Sequence, residues 1–354
     1  MNDDTRLRDG TLPRGDPPQA IVAITGEEQP MAAPIGDGVY AALDLGTNNC
    51  RLLIARPTSD GFRVVDSFSR IIRLGEGMAA TGKISDAALA RAISALGICR
   101  DKIRTRKARR LRLIATEACR AASNANEFCE RVQHATGIKL EVIDRETEAK
   151  LAVIGCSPLI DPNGRGAILF DIGGGSSELV RIERDPDGAP RIRAWMSIPL
   201  GVVTLAEHFG GKVVTADSYA TMVNEVAMYV APFAAEHGGD LAGMHLLGTS
   251  GTVTTLAGLH LDLVRYDRRR IDGIWMSAGD LDATITRLRG MSYHERAQNH
   301  CIGSERADLV LAGCAILDAV RAAFPLQRLR VADRGLREGM LVEMMREDGV
   351  LGVA

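Results

Sequence analysis

The chain carries one short pattern twice, and a repeat of that kind restricts the fold more than any single motif can. Laid 127 positions apart, DLGTNNCRLL at residues 44–53 and DIGGGSSELV at residues 171–180 share an aspartate, a glycine and a leucine, and an apolar run precedes each. A pattern that recurs together with its context marks a duplicated supersecondary unit. Two such units need two cores, and 354 residues are enough for two domains.

Each copy opens as a β-hairpin and continues as alternating strand and helix. VYAALDLG and RLLIARP read as paired strands around a short turn, and FRVVDSFSRIIRLG as a third. In KISDAALARAISALGICRDKIRTRKA, Ser85 is placed as an N-cap, with Ala88, Leu89, Ala92, Leu96, Cys99 and Ile103 at helical spacing. The strand RLRLIATEA, the helix ACRAASNANEFCERVQHATG, the strand KLEVID and the helix RETEAKLAVIGC complete the first half. After the turn-rich SPLIDPNGR, the second half repeats the plan from GAILFDIGGGSSELVRIE and RIRAWMSIPLG, through helices to about residue 240, to MHLLGTSG, RLRVAD and the helix GLREGMLVEMM. The alternation predicts an α/β fold, with domain I at 39–156 and domain II at 157–345. Residues 1–38, charged and rich in proline and glycine, are expected to be a disordered tail, and 346–354 a short C-terminal one.

A glycine-rich turn between two strands presents several N–H groups unscreened by side chains, which suits phosphate oxygens. Gly173, Gly174 and Gly175, with the hydroxyls of Ser176 and Ser177, are therefore candidate phosphate ligands, as are Gly46, Thr47 and Asn48 in the first copy. A dinucleotide fingerprint is unsuitable because ELVRIE is β-like where a helix is required, and a Walker A loop lacks its Gly-Lys-Ser/Thr. The plainer alternative is a hairpin turn that binds nothing, although a tight turn needs fewer than three glycines. Asp44 and Asp171 end their strands at equivalent places, where a carboxylate can hold Mg²⁺ against a phosphate, or else cap its own turn. Arg51 and Glu178 occupy matching positions in the two copies, so the duplicated loops differ in charge. GTSGTVTTLAG at 248–258 offers a third anion loop, with Gly248, Ser250, Gly251 and Thr252 at a helix N-terminus.

Other features narrow the chemistry. A formal net charge of −2 gives no general attraction to nucleic acid or anionic membrane. Seven cysteines without a C-x-x-C pair, no long apolar segment and no export signal lead to the expectation of a cytoplasmic protein with reduced thiols. The seven histidines show no metal-site spacing. RDKIRTRKARRLR at 100–112 holds eight basic residues in thirteen; a solvated helix end is favoured over a polyanion track, and YDRRR at 266–270 leaves the same choice open.

Six segments in order, ALDLGTNNCRLLIA, ATEACRAASNANEF, EVIDRETEAKL, LFDIGGGSSELV, LLGTSGTVTTLA and VADRGLREGML, resemble the exopolyphosphatase / guanosine pentaphosphate phosphatase (Ppx/GppA) family over about residues 39–345. The resemblance implies two duplicated actin-like, ribonuclease H-like domains with a phosphate-binding cleft between them, and Mg²⁺-dependent hydrolysis of a terminal phosphoanhydride. Inorganic polyphosphate is the expected substrate and guanosine pentaphosphate the close second; an actin-like ATPase or sugar kinase, or a non-catalytic sensor of the guanosine phosphates, is more remote. Carried over residue by residue, Glu148 is the expected base and Glu178 a second base or a positioner of water and metal. Arg120 and Asn124 are expected to contact phosphate, side by side on one helix face. Lys150 and Ser177 depart from the arginine and threonine usual in the family, which bears on affinity rather than chemistry. Family members with added C-terminal domains exist; this sequence resembles the short form, and members of the family are often dimers.

Overall fold

The computed structural model describes residues 38–352. Apart from Gly38, the expected N-terminal tail lies outside those residues.

Two sheets carry the fold. The first contains β1 (Tyr40–Leu45), β2 (Asn49–Thr58), β3 (Gly61–Ile71), β4 (Arg110–Ala115) and β5 (Glu141–Val142), in the order β3-β2-β1-β4-β5. The second contains β6 (Gly166–Ile172), β7 (Ser177–Arg184), β8 (Pro190–Ile198), β9 (Met244–Thr249), β10 (Trp275–Ser277) and β11 (Arg328–Ala332), in the order β10-β11-β9-β6-β7-β8. In both, three antiparallel strands form a meander whose first strand then pairs in parallel with a later one. With β10 set aside as an added edge strand, the two orders superpose: β8-β7-β6-β9-β11 repeats β3-β2-β1-β4-β5. The duplication read from the sequence is a duplication of topology.

One face of each sheet is covered by helices of its own half. On the first, the helix Asp86–Arg106 buries Ala88, Leu89, Ala92, Leu96, Cys99 and Ile103, the stripe read from the sequence. Its N-terminus is fixed as expected, the Ser85 hydroxyl accepting the Ala88 N–H at 3.2 Å. The larger core lies against the second sheet, where the helix Val310–Ala323 is apolar around nearly its whole circumference because it is buried on several sides.

The opposite faces exchange helices. Met340, Leu341, Met344 and Met345 of the last helix, Leu336–Glu347, pack on Tyr40, Ala42, Leu53 and Ala55 of the first sheet. Ala149, Ala152, Val153 and Cys156 of the helix Arg145–Cys156 pack on Ala167, Leu169, Val180 and Ile182 of the second. The exchanged helices cross backbone to backbone: a Cβ on Gly155 would stand 2.0 Å from the Gly335 carbonyl oxygen, and one on Gly339 would stand 2.0 Å from that of Leu151. The sequence boundaries at 156 and 345 therefore follow chain order and do not divide the packing. The last helix runs to Glu347, and Val350 and Leu351 pack on the same core, where a free tail was expected. Among the described residues no helix is long and apolar enough to cross a membrane.

Candidate active site

The two hairpins have identical register at the site. Asp44 pairs with Arg51 across β1–β2, and Asp171 with Glu178 across β6–β7. Their turns close alike: the Gly46 N–H donates to the Asn49 carbonyl at 2.9 Å, and the Gly173 N–H to the Ser176 carbonyl at 2.9 Å. None of Gly46, Gly173, Gly174 and Gly175 has the left-handed φ that favours glycine. Space is the reason at Gly174 and Gly175. A Cβ on Gly174 would stand 2.9 Å from Thr47 Cβ, and one on Gly175 would stand 2.9 Å from Thr47 Oγ1. The emptied backbone of the second loop thus partly accommodates the first loop, and the two meet across the cleft.

Beside this contact opens a cavity of about 1030 Å³, walled by both loops, by Asp44 and Asp171, and by Ser250, Gly251 and Thr252 of the third loop. Buried polar atoms normally find partners. Here Asn48 Oδ1, Asn49 Oδ1, Ser250 Oγ and Glu148 Oε2 are buried without a hydrogen bond, and all four residues line the cavity. Ser250 also holds a φ of 116°, a strained conformation for a residue with a side chain, at the N-terminus of the helix Gly251–His260.

Arg51, Arg306 and Arg337 line the same cavity, and none has a hydrogen bond or ion pair among the described residues. Burial lowers the pKa of Arg306 and Arg337, and the Arg51 charge lowers both further. Arg306 packs against the third loop, its Nη1 3.4 Å from where a Cβ on Gly251 would stand. Three guanidiniums without a direct hydrogen bond or ion pair, gathered from both halves, suit a multiply charged anion. Sequence reasoning assigned none of the three to binding. A single arginine among 43 basic residues has no local signature, and only Arg51, at the repeat position of Glu178, carried a signal.

Glu148 lines the cavity, whereas Glu178 lies behind it, its Oε1 accepting from Ser176 Oγ at 2.8 Å and Ser197 Oγ at 2.9 Å. Burial first, then the Glu178 charge, holds the Glu148 carboxyl well above the usual range. Glu178 is itself pushed up to about 7 by burial and by Asp171. Arg120 stands beside the pair. Its Nη2 forms an ion pair with Glu148 Oε2 at 2.8 Å, which opposes the rise in the Glu148 pKa. The remaining donors of Arg120 go to Glu117 Oε2 and the Ile143 carbonyl, and Arg145 clamps Glu117 from the other side.

Asp44 and Asp171 are both half-buried, and desolvation raises both pKa values, that of Asp171 to about 6; Arg51 opposes the shift and the Asp44 charge adds to that of Asp171. Two such carboxylates in one cavity are under-compensated, and a divalent cation would relieve them. Among the described residues no group of three or more His, Cys, Asp or Glu side chains is arranged to hold a metal ion. The pair fits Mg²⁺ in the manner usual for that ion, one or two carboxylates with phosphate oxygens and water completing the octahedron.

Several expectations need correction. The segment 117–136 is not one helix: it breaks between Glu117–Ala121 and Ala125–Thr136. Asn124 at the break does not line the cavity, its amide exchanging two 2.9 Å hydrogen bonds with the Ile84 backbone. Arg120 does not line the cavity, because its nitrogens are committed to carboxylates and a carbonyl. The Ser177 hydroxyl points to the opposite face of the strand and donates to the Leu200 carbonyl at 2.8 Å. Gly248 lies inside β9, where a Cβ would meet the Phe170 ring at 2.5 Å, so it serves packing. Lys150 pairs with Glu146 at the surface at 2.6 Å. In the basic segment, Lys102 and Arg106 hold Asp66, and Arg110 and Arg112 hold carboxylates of the last helix, whereas Tyr266 and Arg268 do line the cavity.

The model of the Ppx/GppA phosphatase family matches residues 53–348. A Guanosine-5'-triphosphate,3'-diphosphate pyrophosphatase of Photobacterium profundum is 28% identical over 315 residues, covering 87% of this chain and 59% of that protein. This chain thus spans about three fifths of the length of such relatives. Exopolyphosphatase 2 of Mycobacterium tuberculosis is 29% identical over 318 residues, covering 86% of this chain and 98% of that protein. The crystal structure of the Aquifex aeolicus Ppx/GppA family member matches with a TM-score of 0.72 at 29% identity, over 88% of this chain and 98% of that one. An exopolyphosphatase from Cytophaga hutchinsonii, at 23% identity, shares the fold with a TM-score of 0.80, over 89% and 100% of the two chains.

Proposed function

The chain belongs to the Ppx/GppA phosphatase family, and from that premise we propose that it hydrolyses the terminal phosphoanhydride of inorganic polyphosphate. The observation that carries this reading is the placement of Glu148, which lines one cavity with Arg51, Arg306 and Arg337. An anion held by the three arginines and the loop N–H groups presents its end phosphate to the Glu148 carboxylate. Glu148 orients a water molecule and takes its proton as the oxygen attacks phosphorus in line with the departing phosphate. The guanidiniums and the backbone donors stabilise charge on the transferring group without reorganising. Asp44 and Asp171 are the residues that would hold Mg²⁺, which when bound neutralises charge on the phosphate oxygens. Glu178, screened from the cavity by Ser176, raises the basicity of Glu148 through its charge, and Arg120 fixes the position of Glu148.

Support for polyphosphate is the likeness to the relative named Exopolyphosphatase 2, 29% identical over 318 residues. One feature favours guanosine pentaphosphate: the Tyr266 ring in the cavity wall is 39% exposed and offers a face to a base. Phosphate release from the two substrates, compared as kcat/KM, tests the choice. A higher value for polyphosphate is expected, and a strong preference for the nucleotide would overturn it.

A further inference from the structure

The segment 72–77 belongs to the first half of the chain, yet it touches every loop of the site or its support. On one side it holds the first loop: the Ile72 and Arg73 N–H groups donate to the Asn48 carbonyl at 2.8 and 3.1 Å, and the Gly75 N–H to the Thr47 carbonyl at 2.9 Å. On the other side it reaches the second half. Arg73 grips Asp308 with both terminal nitrogens, at 2.9 and 3.0 Å, and donates to the Glu305 carbonyl at 3.1 Å. Those two residues flank Arg306, one of the three arginines in the cavity without a hydrogen bond or ion pair among the described residues. The Gly77 N–H donates to Glu207 at 2.8 Å, on a helix whose first N–H groups, those of Val202 and Val203, hold the carbonyls of Gly173 and Gly174 in the second loop.

The segment is built to hold this position. Arg73 has a φ of 46°, a left-handed conformation unfavourable for a residue with a side chain. Arg91 locks it there, donating to the carbonyls of Ile72 and Arg73 at 2.7 and 3.0 Å and pairing with Glu76 at 2.7 Å. The Arg73 and Asp308 side chains are 33% and 18% exposed, so the pair is partly shielded from water. Strain of this kind persists where the surroundings over-determine it, and here they aim one guanidinium across the cleft.

We propose that Arg73 is a positioning residue, whose bidentate ion pair with Asp308 latches the two halves and sets Arg306 opposite the first loop for binding of the substrate phosphates. Arg73 does not touch substrate; it acts through Arg306 and through the Thr47–Asn48 backbone. The kinetic half of the test rests on the hydrolase reading above, and the binding half does not.

Arg73→Ala and Arg73→Lys are compared with wild type on tripolyphosphate, by steady-state kinetics and by titration calorimetry in a Glu148→Gln background that leaves the ligand intact. Loss of the latch is expected to raise KM and Kd about tenfold in Arg73→Ala, with kcat changed less than about threefold. Arg73→Lys, which keeps the charge but loses the fork, is expected to fall between. Asp308→Asn is expected to raise KM and Kd in parallel with Arg73→Ala. Should Arg73→Ala not fold, Arg73→Lys and Asp308→Asn carry the comparison. Folded variants with wild-type KM and Kd overturn the latch, as does a loss confined to kcat. A wild type that binds tripolyphosphate but turns over neither substrate overturns the hydrolase reading, and the Kd values alone then decide the latch.

Discussion

Glu178 stands opposite Asp171 in the β6–β7 ladder, at the place that Arg51 holds opposite Asp44 in β1–β2. One ancestral hairpin position has become a cation in one half and an acid in the other. The cation opposes the rise in pKa of both aspartates, and in the function proposed above it also meets the anion. The acid lies behind the cavity and acts on Glu148, the one carboxylate of the pair that reaches it.

Removing that proton acceptor should separate binding from turnover. Glu148→Gln keeps the volume and a polar contact for Arg120, so kcat is expected to fall by about 10²–10⁴ with KM little changed. Steady-state phosphate release decides. An unchanged kcat would remove Glu148 from the role of base.

The activity should have an acid limb above the ordinary carboxylate range. Glu148 must be ionised to accept a proton, and its pKa is raised by burial and by Glu178, so kcat/KM is expected to rise as pH passes through that raised value. In Glu178→Gln the neighbouring charge is gone, and the limb should move to lower pH. A limb in the ordinary carboxylate range, about pH 4–5, in wild type would contradict this, as would a limb unmoved by the substitution.

Asp171→Asn tests the metal pair. The change leaves one carboxylate, Asp44, and should weaken activation by Mg²⁺ by about tenfold or more in the concentration required. A Mg²⁺ titration that superposes on wild type would reassign Asp171 to an electrostatic role alone.

Gly174→Ala tests the contact between loops. The added Cβ would stand 2.9 Å from Thr47 Cβ, so the loops must part. Overpacking of this kind costs about 1–3 kcal/mol, and it is expected to lower the melting temperature and raise KM together. Pairing it with Thr47→Gly, which removes the Cβ that the new methyl meets, should recover part of both. An unperturbed Gly174→Ala would return this glycine to the plain reading, a turn with spare room.

How much of this was legible beforehand follows from the range of each interaction. Hairpins, the Ser85 cap and the buried stripe of Asp86–Arg106 are local consequences of residue type and spacing, and they stand where the sequence placed them. The duplication was legible too, because a repeat preserves the strand–turn–strand order that fixes the register of Asp44 and Asp171. Side-chain direction was not. Ser177 lies one residue from Ser176 on a strand, so it points to the opposite face and spends its hydroxyl on Leu200. Asn124 is four residues from Arg120, but the helix breaks between them at Ala122, and the spacing loses its meaning.

By itself, then, the sequence determined the local elements, their duplication and the positions of the acids, since each depends on neighbours a few residues away. Tertiary structure alone decided which charges meet. Arg51 is brought together with Arg306 and Arg337 from the other half of the chain, and the Arg73–Asp308 pair spans 235 positions. The last helix crosses to the first sheet because that sheet's open face needed an apolar cover, which its own half does not supply.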